Sequence, residues 1–149
     1  MGGGEAALTL GPQGVYRRSQ DASFAVTIES PVDGFATIIL FPDGAAPKVY
    51  PDQEREPKEP AIRVVAREAR QYGRFRPPQK TTVLLVVATR DSSTEVVSKV
   101  VKGLGPLQQP PEEEIARSLD EIQEALQQTG DRLVATGRFT VEPSPKGAR

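Results

Sequence analysis

Asp33, Asp43 and Asp52, with Glu54 and Arg55 just beyond the third, are the residues of this 149-residue chain whose types suit acid–base or binding chemistry on exposed turns. Each aspartate sits in turn-forming sequence: Pro31-Val32-Asp33-Gly34, Pro42-Asp43-Gly44 and Pro51-Asp52. In such settings the ordinary work of the carboxyl group is to accept hydrogen bonds from backbone amides, and these aspartates are read first as structural. The chain has no histidine and no cysteine. That removes serine and cysteine triads, the common general base of neutral pH, thiolate metal sites and a disulfide framework. A carboxylate pair of the glycosidase kind is still allowed. However, three Tyr, five Phe and no Trp offer little to line a sugar cleft. Gly103-Leu104-Gly105-Pro106 lacks the lysine and the later glycine of a phosphate loop. No catalytic, cofactor-binding or metal-ligating residue is therefore nominated, and no cofactor is expected.

A second constellation is basic. Between Ala61 and Lys80 stand Arg63, Arg67, Arg70, Arg74, Arg76 and Lys80 against Glu68 alone. Steps of four, three and four would place Arg63, Arg67, Arg70 and Arg74 on one face of a helix, with Tyr72 and Phe75 as stacking surfaces for RNA or single-stranded DNA. Whether residues 61–72 are helix or strand is left open by the sequence. Glu112, Glu113, Glu114, Asp120, Glu121 and Glu124 against Arg117 make a later segment equally acidic. Pairing of these two segments, within the fold or across a dimer, is the simpler account for a chain of formal net charge −1.

These side chains must be positioned by strands. Phe24, Val26 and Ile28 alternate with Ala25, Thr27 and Glu29, the pattern of a strand with one wet face. In Phe35 to Phe41 both alternating sets are apolar or small, which predicts a central strand covered on both sides. Pro31 and Gly34 between the two runs, and Asp43-Gly44 after them, predict an antiparallel hairpin over 23–44. Residues 6–18 supply an interrupted first strand, Lys48-Val49-Tyr50 a short one stopped by Pro51, and Thr81 to Thr89 a second central strand.

Helices belong to the last third. Ser92 and Glu95 have capping-box spacing ahead of Val96, Val97, Val100 and Val101, although four valines also suit a strand. Pro110-Pro111 and three glutamates open an amphipathic helix over 111–129, whose apolar stripe is Ile115, Leu119, Ile122 and Leu126 and whose terminator is Gly130. A closing strand follows over 131–142, and residues 1–5 and 143–149 are expected to be flexible tails.

With 37% hydrophobic and 26% charged residues, the chain has the composition of one globular domain, taken here as 1–142. No basic-then-apolar leader and no run of about 20 apolar residues is present, so the expectation is a cytoplasmic protein with no membrane partner.

Taken in order, Asp33-Gly34-Phe35 running to Phe41-Pro42-Asp43-Gly44, Val49-Tyr50-Pro51, a charged loop, and Phe75-Arg76-Pro77-Pro78 leading into Val83 to Thr89 resemble a bacterial β-sandwich module of unassigned function. The resemblance covers about residues 15–89. Where that family carries a glycine before its last core strand, this chain has Gln79 and Lys80. The resemblance implies a non-catalytic part that accompanies caspase-like peptidases, protein kinases and other signalling or defence enzymes. It transfers no catalytic residue.

The expected fold is thus mainly β: an antiparallel β-sandwich of immunoglobulin-like class with one or two helices in the C-terminal third. The expected role is a protein-binding or regulatory module, with a caspase-like peptidase or kinase encoded nearby as partner. Its candidate surface is Asp33, Asp43, Asp52, Glu54 and Arg55. The alternative is nucleic-acid binding through Arg63, Arg67, Arg70, Arg74 and Arg76.

Overall fold

A computed structural model of the chain describes residues 5–9, 15–18, 24–30, 32–42, 46–52, 56–57, 60–75, 80–103 and 111–143. In chain order the elements are β1 (Glu5–Thr9), β2 (Val15–Arg18), β3 (Phe24–Glu29), β4 (Gly34–Pro42), β5 (Lys48–Tyr50), β6 (Ile62–Val64), β7 (Ala69–Phe75), β8 (Thr81–Ala88), α1 (Ser93–Lys102), α2 (Pro111–Gln128) and β9 (Leu133–Pro143). The architecture is mainly antiparallel β-sheet with two helices.

β4 and β8 are the centre, as their two-sided apolar composition predicts. They pair antiparallel over their whole lengths, with Ile38 opposite Leu85 and Ile39 opposite Leu84. Because successive side chains alternate, this register sorts the residues onto two faces. Ala36, Ile38 and Leu40 join Val83, Leu85 and Val87 on one face, where Ile28 of β3 and Val64 of β6 complete a buried cluster. On the other face Ile39, Phe41, Leu84, Val86 and Ala88 meet Val97 and Val101 of α1 and Ile115, Ile122 and Leu126 of α2. Each large aliphatic or aromatic side chain fully buried here contributes about 1.5–3 kcal/mol, which is why the helices' apolar stripes are committed to this sheet.

The strands form two sheets. β1, β3 and β7 make the smaller, and the larger, open sheet runs β2-β9-β8-β4-β5, with β6 also on β4. β5 lies on residues 38–40 of β4 and β6 on residues 34–36, so the two short strands follow one another along one side of β4. Two outer pairs, β1 with β3 and β2 with β9, are parallel.

The expected hairpin over 23–44 is not formed. β3 pairs with β1 and β7, whereas β4 pairs with β5, β6 and β8, so the chain crosses from one sheet to the other between Glu29 and Gly34. Ser30 makes that crossing compact: its hydroxyl donates to the Val32 carbonyl at 2.6 Å and accepts from the Val32 amide at 3.1 Å. Turn residues next to an apolar strand are compatible with a hairpin or with a step between layers. Here the step wins, because both faces of β4 need cover and a paired β3 would supply none. The antiparallel return after the second Asp-Gly does occur, since β5 pairs back on β4.

α1 is a helix, but not through a capping box. Ser92 has φ −68° and ψ −10°, already helical, and its side chain makes no cap hydrogen bond. A capping side chain needs an extended residue at that place to reach back to the amides. Ser93 and Thr94 are instead turned inward, and the Thr94 hydroxyl lies 3.2 Å from that of Thr37 on β4. α2 ends as its glycine predicts: Gly130 has φ +77°, and the Asp131 amide donates to the Leu126 carbonyl at 2.9 Å, with Gly130 donating to Gln127 at 3.1 Å. This is the paired closure that a left-handed residue just past a helix permits.

Candidate partner-binding cleft

Lys48-Val49-Tyr50 is too short to form a strand alone and is held by pairing with Leu40, Ile39 and Ile38 of β4. Alternation sends Val49 to the helix-side cluster and Tyr50 to the opposite one, and Pro51, itself buried, ends the strand. α1 lies across β4 and β5. Its helical spacing turns Val97 and Val101 into the core and carries Ser98 and Lys102 along the flank toward β5.

Between the two elements lies a cleft of about 300 Å³, lined by Pro47, Lys48, Val49, Tyr50, Asp52, Ser98, Val101 and Lys102. Its floor is apolar, Val49 and Val101. Lys48, Asp52, Ser98 and Lys102 are its polar lining residues, while the Tyr50 side chain packs in the cluster on the other face of the sheet. Such a volume is at the small end for ligand pockets, and the mixture suits a side chain or short backbone stretch of a partner. Among the described residues no three His, Cys, Asp or Glu side chains gather as a metal site. Among the same residues no helix is long and apolar enough to cross a membrane.

The residues nominated from sequence are dispersed. Asp52 lines the cleft, half-buried. Asp33 is exposed in the step between sheets and accepts the Ala66 amide at 2.7 Å, tying that step to the β6–β7 turn 33 residues away. Asp43, Glu54, Arg55 and Arg76 lie outside the described residues.

The arginines do not share a helix face, because residues 62–75 form two strands around a turn. Arg63 is on β6, in the larger sheet; Arg67 is in the turn; Arg70 and Arg74 are on β7, in the smaller sheet. β-branched Ile62, Val64 and Val65 favour the extended form. The turn is pinned by the Arg67 amide donating to the Ser30 carbonyl at 2.9 Å, with Arg67 held at φ +66°. α2 packs on the far side of the larger sheet from Ile28 and its small sheet. Its Arg117 is engaged within the helix, by Glu114 at 3.3 Å and Glu121 at 3.5 Å.

Lys48, Ser98 and Lys102 were not nominated. Ser98 and Lys102 are one helical turn apart, a spacing visible in the sequence, but nothing local places Lys48 beside them. Comparisons with protein-family models, with curated proteins and with solved structures give no match to the chain.

Proposed function

We propose that this chain is a non-catalytic protein-binding module whose partner inserts a segment into the cleft between β5 and α1. The observation that carries the reading is that cleft: an apolar floor of Val49 and Val101 contributed by two separate elements, with Lys48 and Lys102 among its other lining residues, at one side of the larger sheet. Short outer strands flanked by a groove are places where an extended segment gains main-chain hydrogen bonds and side-chain specificity together.

We read the two sheets as an antiparallel β-sandwich of immunoglobulin-like class. Ile28 of the smaller sheet, buried in the cluster of the larger one, supports this. The sequence resemblance supports an accessory role beside a bacterial signalling or defence enzyme, such as a caspase-like peptidase or a kinase.

The test is lysine-directed cross-linking of the chain in extract of its native host, followed by mass spectrometry. The expected result is one partner cross-linked through Lys48 and Lys102 and lost when both are changed to Glu. Recovery of no specific partner, or a partner held equally by the Lys48→Glu/Lys102→Glu chain, overturns the reading.

A further inference from the structure

The cleft lies on the β5 side of the larger sheet; the opposite side ends on β9, with β2 beyond it for part of the way. β9 pairs with β8 from Leu133 to Val141, but β2 reaches only residues 140–143. β1 also comes against β9, yet its own ladder is with β3 in the smaller sheet. Among the described residues no strand therefore pairs with the outer edge of β9 over 133–139. A register shift opposite Val87 and Ala88 bends the start of that edge and leaves Ala135 to Phe139 as its regular part. Alternate residues there aim their amide and carbonyl groups away from β8.

The edge is nearly uncharged. Leu133, Val134, Ala135 and Thr136 are half-buried, and the one charged residue before β2 begins is Arg138, also half-buried. Arg138 has no ion-pair partner among the described residues. It stands opposite Leu84, on the sheet face that carries the helices, where the buried acid of α2, Glu114, is engaged by Arg117. The neighbouring acids of the chain are occupied: Asp131 is buried and accepts backbone amides, and Glu142 pairs in register with Arg17 of β2.

We propose that this edge takes an extended segment of a partner protein as an added strand, with a carboxylate side chain of that segment facing Arg138. β2, on the same edge, is the pattern for such an addition. Charge selects the guest. Two copies of this chain pairing through β9 would bring two Arg138 guanidinium groups into one junction with no acid between them, since residues 133–139 hold none. An acidic guest neutralises the single guanidinium it meets. This surface lies across the sheet from the cleft and does not depend on it.

Amide hydrogen exchange of the whole chain with synthetic peptides tests this. The probe is a short blocked peptide of alternating valine and threonine with a central glutamate. Its controls carry lysine in place of the glutamate, or N-methyl groups on alternate amides. The glutamate peptide is expected to slow exchange within 135–139 about tenfold or more, and the controls far less. With an Arg138→Glu chain, shown to be folded by circular dichroism, the lysine peptide is expected to become the better guest. Three results overturn the proposal: no protection of 135–139 by the glutamate peptide, equal protection by the glutamate and lysine peptides, or protection already present in a peptide-free chain that sediments as a dimer. The cleft reading, tested through Lys48 and Lys102, stands or falls separately.

Discussion

Asp131 Oδ1 accepts the Thr89 hydroxyl at 2.6 Å across 42 residues of sequence. The same oxygen accepts the backbone amides of Thr89 at 3.0 Å, Arg90 at 3.2 Å and Arg132 at 2.7 Å. One carboxyl group thus joins the end of β8 to the start of β9, at the corner where the chain leaves the sheet for α1 and re-enters it from α2. Its other oxygen, Oδ2, is buried without a hydrogen-bond partner.

Asp131→Ala is therefore expected to lower unfolding free energy by about 2–3 kcal/mol, since it deletes four hydrogen bonds made to one buried carboxyl group at once. Asp131→Asn retains an acceptor at the Oδ1 position and is expected to lose less, about 1–2 kcal/mol. Urea unfolding of the two variants checks the order. Equal losses would show that the bonds to Oδ1 are not what holds the corner.

Gly34 is required by close approach rather than by backbone angle. A Cβ there would lie 2.7 Å from the Ala88 carbonyl oxygen and 2.7 Å from Val87 Cγ1. Gly34→Ala must push β4 away from β8 at the first pair of their register, and a loss of about 1–3 kcal/mol is expected. Thermal unfolding measures it, and a variant as stable as the parent would contradict this packing.

Arg67 makes the opposite case. Held at φ +66°, it occupies a region that costs an ordinary L-residue about 1–2 kcal/mol and costs glycine little. Arg67→Gly is expected to leave stability unchanged or to raise it by up to about 1 kcal/mol, because relief of strain is offset by the greater freedom of glycine when unfolded. A clear drop in the urea midpoint would mean that the arginine side chain carries a contact worth more than the strain.

The Thr37 and Thr94 hydroxyls, 3.2 Å apart and buried, are the polar link between β4 and the first turn of α1. Changing either to Val leaves its partner without that bond and is expected to cost about 1–2 kcal/mol. The Thr37→Val/Thr94→Val chain is expected to lose less than the two single losses added together, a coupling that a double-mutant cycle in urea reads directly. Strict additivity would show that the two hydroxyls do not interact.

Legibility of the fold followed the range of the forces involved. β4, β8 and α2 announced themselves because their apolar residues recur at the period of their own backbone, and α1 was visible as an alternative to a strand. The site was less legible. Asp52 was nominated and does line the cleft, but Asp33 answers an amide 33 residues away. Asp131, whose Oδ1 accepts four hydrogen bonds, reads in the sequence only as a residue after a helix-ending glycine.

The sequence by itself determined that β4 and β8 are extended, that α2 is helical and that β4 must be covered on both faces, since alternation and helical periodicity are local properties of side-chain order; it left residues 61–72 and the valines of α1 open between helix and strand. Tertiary structure decided the partners: β3 with β7 rather than β4, the arginines divided between two sheets, and Lys48 brought beside Ser98 and Lys102. Strand pairing is chosen by which long-range closure buries every apolar face at once. A turn sequence such as Pro31 to Gly34 permits more than one such closure without selecting among them.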